Sequence, residues 1–168
     1  MTEVYHGISL NDLKNLLKRE VKEITIRDLY DLSFYFLEEQ KYLPGEYKKE
    51  YGETVLDVMI HRFTSLKNDK RSYDGTLCDN DVENVNELLK YNNNVPTYIL
   101  NIIVIYATYF LKEPVHPPGT AFPGHVSIYY DGKDYFCPIK KNHINNEKSV
   151  CKYCIAKILE ESKENVKN

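Results

Sequence analysis

The chain predicts a mainly α-helical protein: a bundle of about five helices carrying a C-terminal β-hairpin and a short helix that together form a cysteine metal-type site. Three observations carry that expectation. Apolar residues recur at helical spacing through the first two thirds of the chain, behind repeated N-capping signals. One segment, 98–111, is apolar on nearly every face. At Pro114 the character changes to a Pro/Gly-rich loop, followed by a hairpin signal and three clustered cysteines.

Ser9 and Asp12 form a capping-box pattern ahead of Leu10, Leu13, Leu16 and Leu17, which predicts a first helix to about Val21. Thr25 and Asp28 repeat the pattern before Leu29, Leu32, Phe36 and Leu37, a second helix to about Lys41. Pro44 suits the first turn of a long third helix with the face Tyr47, Tyr51, Val55, Met59, Phe63 and Leu66, in which Gly52 is a tolerated weak point. Residues 68–80 read as a polar loop with Cys78 near its end, and Asn80 and Glu83 open a fourth helix through Leu88 and Leu89. Pro96 opens the apolar fifth helix, which runs to Lys112 and Glu113 and belongs at the centre of the bundle. At 98–111 it is too short to cross a bilayer and carries Asn101 and Thr108.

Proline removes amide donors, so 114–124 is an ordered loop rather than a helix. Asp131-Gly132 between 126–130 and 133–137 predicts a two-residue type I′ hairpin turn. Ser149 then caps a last helix whose apolar face is Ile155, Ile158 and Leu159, and the charged tail from Glu160 frays. The expected organisation is a bundle over 1–113 and a loop, hairpin and helix over 114–168 packed on it, as one domain overall.

A net charge of -3 offers no basic field for a run of phosphates, which argues against nucleic acid as a partner. The first residues lack a basic, apolar leader, and four cysteines without one do not suggest a disulfide framework. The expectation is a cytoplasmic protein that binds no membrane and keeps its thiols for metal or redox chemistry.

The thiols are Cys137, followed by Pro138, and then Cys151 and Cys154. One sits at the end of a hairpin strand and two in the first turn of a predicted helix, whose positive end favours thiolate. A hairpin and a helix start converging on one ion is a common zinc arrangement, but three thiolates leave a tetrahedral site one ligand short. His116, which opens the rigid loop, is the preferred fourth ligand. His143 comes second, Cys78 would make a four-thiolate site of the iron–sulfur type, and His125 ranks last. A structural zinc, whose binding supplies about 10 kcal/mol in small peptides, is preferred to its competitors. These are an iron–sulfur cluster for electron transfer or sensing, an enzyme with an open coordination position, a dithiol redox pair, and plain core thiols. The redox pair lacks its βαβ context. His61 reads as a surface or core histidine, because no second histidine stands one turn away. Glu38 with Glu39 and Glu46 with Glu50 read as solvated helix faces. The partner, whether a protein or a small molecule, is not specified.

The pattern His116-Pro117-x-Gly119-Thr120-x-Phe122-Pro123-Gly124, with Tyr135-x-Cys137-Pro138 and Cys151-x-x-Cys154, resembles an archaeal protein family, mainly of methanogens, known only as a domain of unknown function. The resemblance covers about the last third of the chain and implies an archaeal cytoplasmic protein built around His116 and the three cysteines. The family often has a second glycine where His125 stands, which removes His125 as a shared ligand.

Overall fold

The computed structural model describes residues 3–41, 44–90, 94–120, 122, 125–146 and 149–159; for 36–40, 46 and 49–51 it describes the backbone alone. The expectations placed on the side chains of Phe36, Leu37, Glu38, Glu39, Glu46, Glu50 and Tyr51, on Pro123 and Gly124, and on the tail from Glu160 lie outside the described residues.

Five helices form the larger part: α1 (Leu10–Lys22), α2 (Ile26–Gln40), α3 (Gly45–Asn68), α4 (Asp79–Lys90) and α5 (Val95–Tyr106). Their starts obey local hydrogen-bond chemistry. Ser9 Oγ accepts the Asp12 amide at 3.0 Å, and Thr25 and Asp28 satisfy each other's amides at 2.7 and 3.3 Å, so orphan donors of the first turn are met by side chains. Asn94 caps α5 through the Thr97 amide at 2.8 Å.

α5 packs against α1, α2, α3 and α4. Ile99, Ile102, Ile103, Val104, Ile105 and Tyr106 are all buried, as a helix without a polar face must be. Around them lie Leu13, Leu17 and Val21 of α1, Leu32 of α2, Val55, Met59, Phe63 and Leu66 of α3, and Val85, Leu88 and Leu89 of α4. Each such side chain contributes about 1.5–3 kcal/mol of transfer free energy. α5 continues as a π-helical turn, Ala107–Leu111, closed by Lys112 in the left-handed region at φ 56°.

The connection 69–78, expected as a plain polar loop, is pinned from inside. The buried Asp69 carboxylate accepts from the Arg71 amide (2.8 Å), Arg71 Nε and Nη2 (3.1 and 2.8 Å), Tyr73 Oη (2.7 Å) and Tyr106 Oη (2.8 Å). Asn11 exchanges two hydrogen bonds with the Tyr73 backbone, at 2.8 and 3.0 Å. Lys14 and Lys18 of α1 donate to the carbonyls of Arg71 and Asp69.

The C-terminal part departs from expectation in two places. Strands β1 (Tyr129–Tyr130) and β2 (Tyr135–Cys137) pair antiparallel, with Tyr130 opposite Tyr135. The turn therefore holds four residues rather than two. Asp131 Oδ1 accepts the amides of Lys133 and Asp134 at 2.8 and 2.7 Å, and Gly132 alone takes positive φ, at 97°. An aspartate that captures amides two and three residues on makes an Asx turn, which competes with the type I′ geometry.

The expected last helix is absent. Ser149 does cap, accepting the Cys151 amide at 3.1 Å, but the helix is only a 3₁₀ turn, Val150–Lys152. The chain then extends into β3 (Lys157–Ile158), which pairs parallel with β2 and makes the sheet order β1-β2-β3. Burial decides this outcome: Ala156 packs into a small second core with Phe122, Ile128 and Cys137, and β2 has a free edge to cover. A one-turn helix, α6 (Lys140–His143), lies between. Val115, Val150, Tyr153 and Cys154 pack against the main bundle core.

Candidate metal centre

Cys137 ends β2 and is buried. Burial pushes its thiol pKa up, and the backbone amides of Ile139 and Lys140 oppose that rise. Cys151 lies in the 3₁₀ turn; burial raises its pKa as well, and Ser149 opposes that rise. Cys154 lies between the two cores, and its sulfur accepts the Val115 amide at 3.3 Å. Cys154 packs against the small core that contains Cys137, and Cys151 precedes it in the 3₁₀ turn, which places the three thiols in one neighbourhood.

Backbone contacts hold that neighbourhood. The buried Lys140 ammonium donates to the carbonyls of Cys154 and Ala156 at 2.8 and 2.7 Å. The Leu159 amide donates to the Cys137 carbonyl at 3.2 Å.

His116 follows Val115, and its ring meets Phe122 edge-on at 5.4 Å. Burial, then the charges of Arg62 and His143, lower its pKa to about 4, so the imidazole is neutral near pH 7, the form that ligates metals. His143 is exposed at the end of α6. Cys78 is exposed just before α4 and donates to Asp81 at 3.1 Å. His125 is exposed, with its ring against Tyr47, in the left-handed region at φ 56°, where glycine is at ease. His61 is exposed.

Among the described residues, no three His, Cys, Asp or Glu side chains stand in an arrangement that would hold a metal ion without movement. What the positions share is chemistry: three thiols, one of which accepts a backbone amide, and a neutral imidazole. N–H···S contacts favour thiolate, and a bound cation deprotonates a coordinating thiol outright.

Arg62 is the residue that pattern reading passes over. It is only 3% exposed, yet it donates to the carbonyls of Val115 (2.7 Å) and Pro114 (2.9 Å) and to Glu113 (3.1 Å), fixing the loop that carries His116 to α3. Its charge contributes to the lowered pKa of His116. Its signal lies in spacing: Arg62 falls with Met59, Phe63 and Leu66 on the buried stripe of α3, where a cation needs partners.

A cleft of about 450 Å³ opens beside the 3₁₀ turn, with Leu88, Leu100 and Val150 as apolar wall and Glu87, Lys90 and Lys152 at its charged positions. Neither the three cysteines nor any residue of the 114–124 loop lines it. No helix among the described residues is long and apolar enough to cross a membrane.

A family model described as "Uncharacterized protein conserved in archaea (DUF2115)" matches residues 9–158. The chain is 32% identical to a UPF0305 protein of Methanothermobacter thermautotrophicus over 86% of its own length and 93% of that protein. It is 31% identical to a UPF0305 protein of Methanocaldococcus jannaschii over 90% and 98%, and 28% identical to one of Methanopyrus kandleri over 64% and 84%. No solved structure matches.

Proposed function

The chain belongs to the archaeal DUF2115 family, and from that premise we propose that it is a small cytoplasmic metal-binding protein with a structural zinc ion, ligated by Cys137, Cys151, Cys154 and His116. The single observation that carries the reading is the 3.3 Å contact of the Val115 amide with the Cys154 sulfur, which ties the residue before His116 to a thiol that packs in the same small core as Cys137. A buried thiol gains little from such a donor, whereas a thiolate held against a cation gains much. A bound ion would cross-link the β2 turn, the 3₁₀ turn and the 114–120 loop beside the bundle. The side chains must close on it from their present positions. The composite surface of bundle and appendage is then the part that meets a partner.

The enzyme alternative, with an open coordination position, predicts a pocket at the metal lined by the Pro-rich loop. The cleft beside the 3₁₀ turn is a different one, with no ligand and no residue of that loop in its wall.

The test is elemental analysis and absorption spectroscopy of anaerobically purified protein, followed by cobalt substitution. One zinc per chain and a cobalt spectrum with thiolate charge-transfer bands are expected. Cys137→Ser abolishes both, and His116→Ala alters the cobalt spectrum by removing its nitrogen ligand. A brown, iron-containing preparation would move the assignment to the iron–sulfur alternative. Absence of any stoichiometric metal, with no cobalt spectrum on titration, overturns the proposal.

A further inference from the structure

Helix α2 exposes a stripe that the bundle does not use. Ile26 is 87% exposed, Tyr30 61% and Phe34 49%, whereas Leu32 on the same helix is fully buried. A spacing of four places the three on one continuous face, rotated away from the core. The rings of Tyr30 and Phe34 meet edge-on at 4.9 Å, so the face presents one packed apolar surface rather than scattered side chains. Single exposed apolar residues need no explanation, but a contiguous helical stripe marks an interaction face.

Its flank carries the information about the occupant. Arg27 and Asp31, also four apart, border the stripe on one side, and both are exposed. They are not paired with each other among the ion pairs of the described residues, and their order, base before acid, is the less favourable one within a helix. Across a two-fold axis the same two residues become complementary. When two copies of α2 pack antiparallel about Tyr30, Ile26 of one lies against Phe34 of the other, and like flanks face each other. Arg27 of each copy then meets Asp31 of the other, as an isologous interface requires. An anionic lipid surface would call for several cations along the flank, where this one offers a single arginine beside Asp28 and Asp31.

We infer that α2 is a self-association face and that its occupant is α2 of a second copy of this chain. This contact is independent of the metal reading. The area offered by one helical stripe is small, so the dimer is weak, with a dissociation constant on the order of 10–100 µM.

Sedimentation velocity of the full chain from about 5 to about 500 µM tests it, with far-UV circular dichroism confirming that each variant is folded. The wild type should pass from monomer to dimer across that range, and Tyr30→Glu should remain a monomer throughout. Arg27→Asp and Asp31→Arg should each weaken the dimer at least about tenfold, because each creates like-charge pairs across the axis. An equimolar mixture of these two variants should regain association as a heterodimer, in which every flank pair is again opposite in sign. A wild type that stays monomeric at the highest concentration overturns the inference. So does a dimer that Tyr30→Glu leaves intact, or a mixture of the two charge variants that associates no better than either alone.

Discussion

Replacing Arg62 by methionine probes the link between bundle and site. The guanidinium satisfies two buried carbonyls, Pro114 and Val115, at 2.9 and 2.7 Å, and reaches the half-exposed Glu113 at 3.1 Å. Methionine fills much of the volume but donates nothing. Each abandoned carbonyl costs about 1–3 kcal/mol, the exposed Glu113 contact adds little, and renewed apolar packing recovers part of the loss. The net destabilisation is about 3 kcal/mol, which lowers Tm by about 6–12 °C for a chain of this size. Arg62→Lys keeps the charge but lacks the fork, so it serves one carbonyl and loses about half as much. Urea denaturation followed by circular dichroism gives both values. A loss below about 1 kcal/mol for Arg62→Met, or complete rescue by lysine, would refute the idea that the bidentate grip holds the loop.

Three further outcomes are expected. Burial raises the pKa of Asp69, but hydrogen bonds from Arg71, Tyr73 and Tyr106 outweigh that and hold it far below the usual carboxylate range. A carboxyl whose folded pKa is depressed stabilises the fold above its unfolded value near 3.9 and loses that contribution as the pH falls below it. Asp69→Asn should therefore cost about 2 kcal/mol at pH 7, with the gap to wild type narrowing toward pH 3; a gap constant with pH rejects the assignment. Tyr106→Phe removes one buried donor to Asp69 and should cost about 1–1.5 kcal/mol in the same unfolding assay, with a shift under about 0.3 kcal/mol counting against it. His125→Gly should stabilise by about 0.5–1 kcal/mol, because φ 56° strains any residue with a Cβ; a fall in Tm would show that its ring contact with Tyr47 matters more.

The helices are legible in the sequence because each signal is local. Capping pairs such as Ser9 with Asp12 and Thr25 with Asp28 act within four residues, and the buried faces of α1, α3 and α4 follow their apolar spacing. The segment after Ser149 misleads because its true partner is remote. Ile155, Ile158 and Leu159 have helical spacing, yet backbone pairing with β2, some twenty residues earlier, and burial of Ala156 win over it. Asp131-Gly132 marks a turn correctly, but the aspartate side chain chooses its length.

The spacing of Cys137, Cys151 and Cys154 is visible in the sequence, whereas the groups that hold the segments around them are not. Arg62 and Lys140 are cations buried against backbone carbonyls, and a carbonyl has no letter in the sequence. The same holds for Asp69, whose burial depends on tyrosines up to 37 residues away.

The π-helical turn at Ala107–Leu111 has a consequence for insertions and deletions. It takes one more residue than an α-helical turn would, and that residue sets the rotation of the side chains around it. With this register Thr108 Oγ1 donates to the Tyr153 carbonyl, Tyr109 reaches Asp81, and Phe110 stacks on Tyr106 while meeting Tyr73 edge-on. Removing a single residue would restore a regular helix and re-aim the side chains within the turn, disturbing the contact with the C-terminal part and the contact with the 69–78 connection in one stroke. Chain length between Tyr106 and Lys112 is thus constrained more tightly than the identity of most of its residues, and a one-residue gap in a surface connection such as 131–134 should be far easier to accommodate.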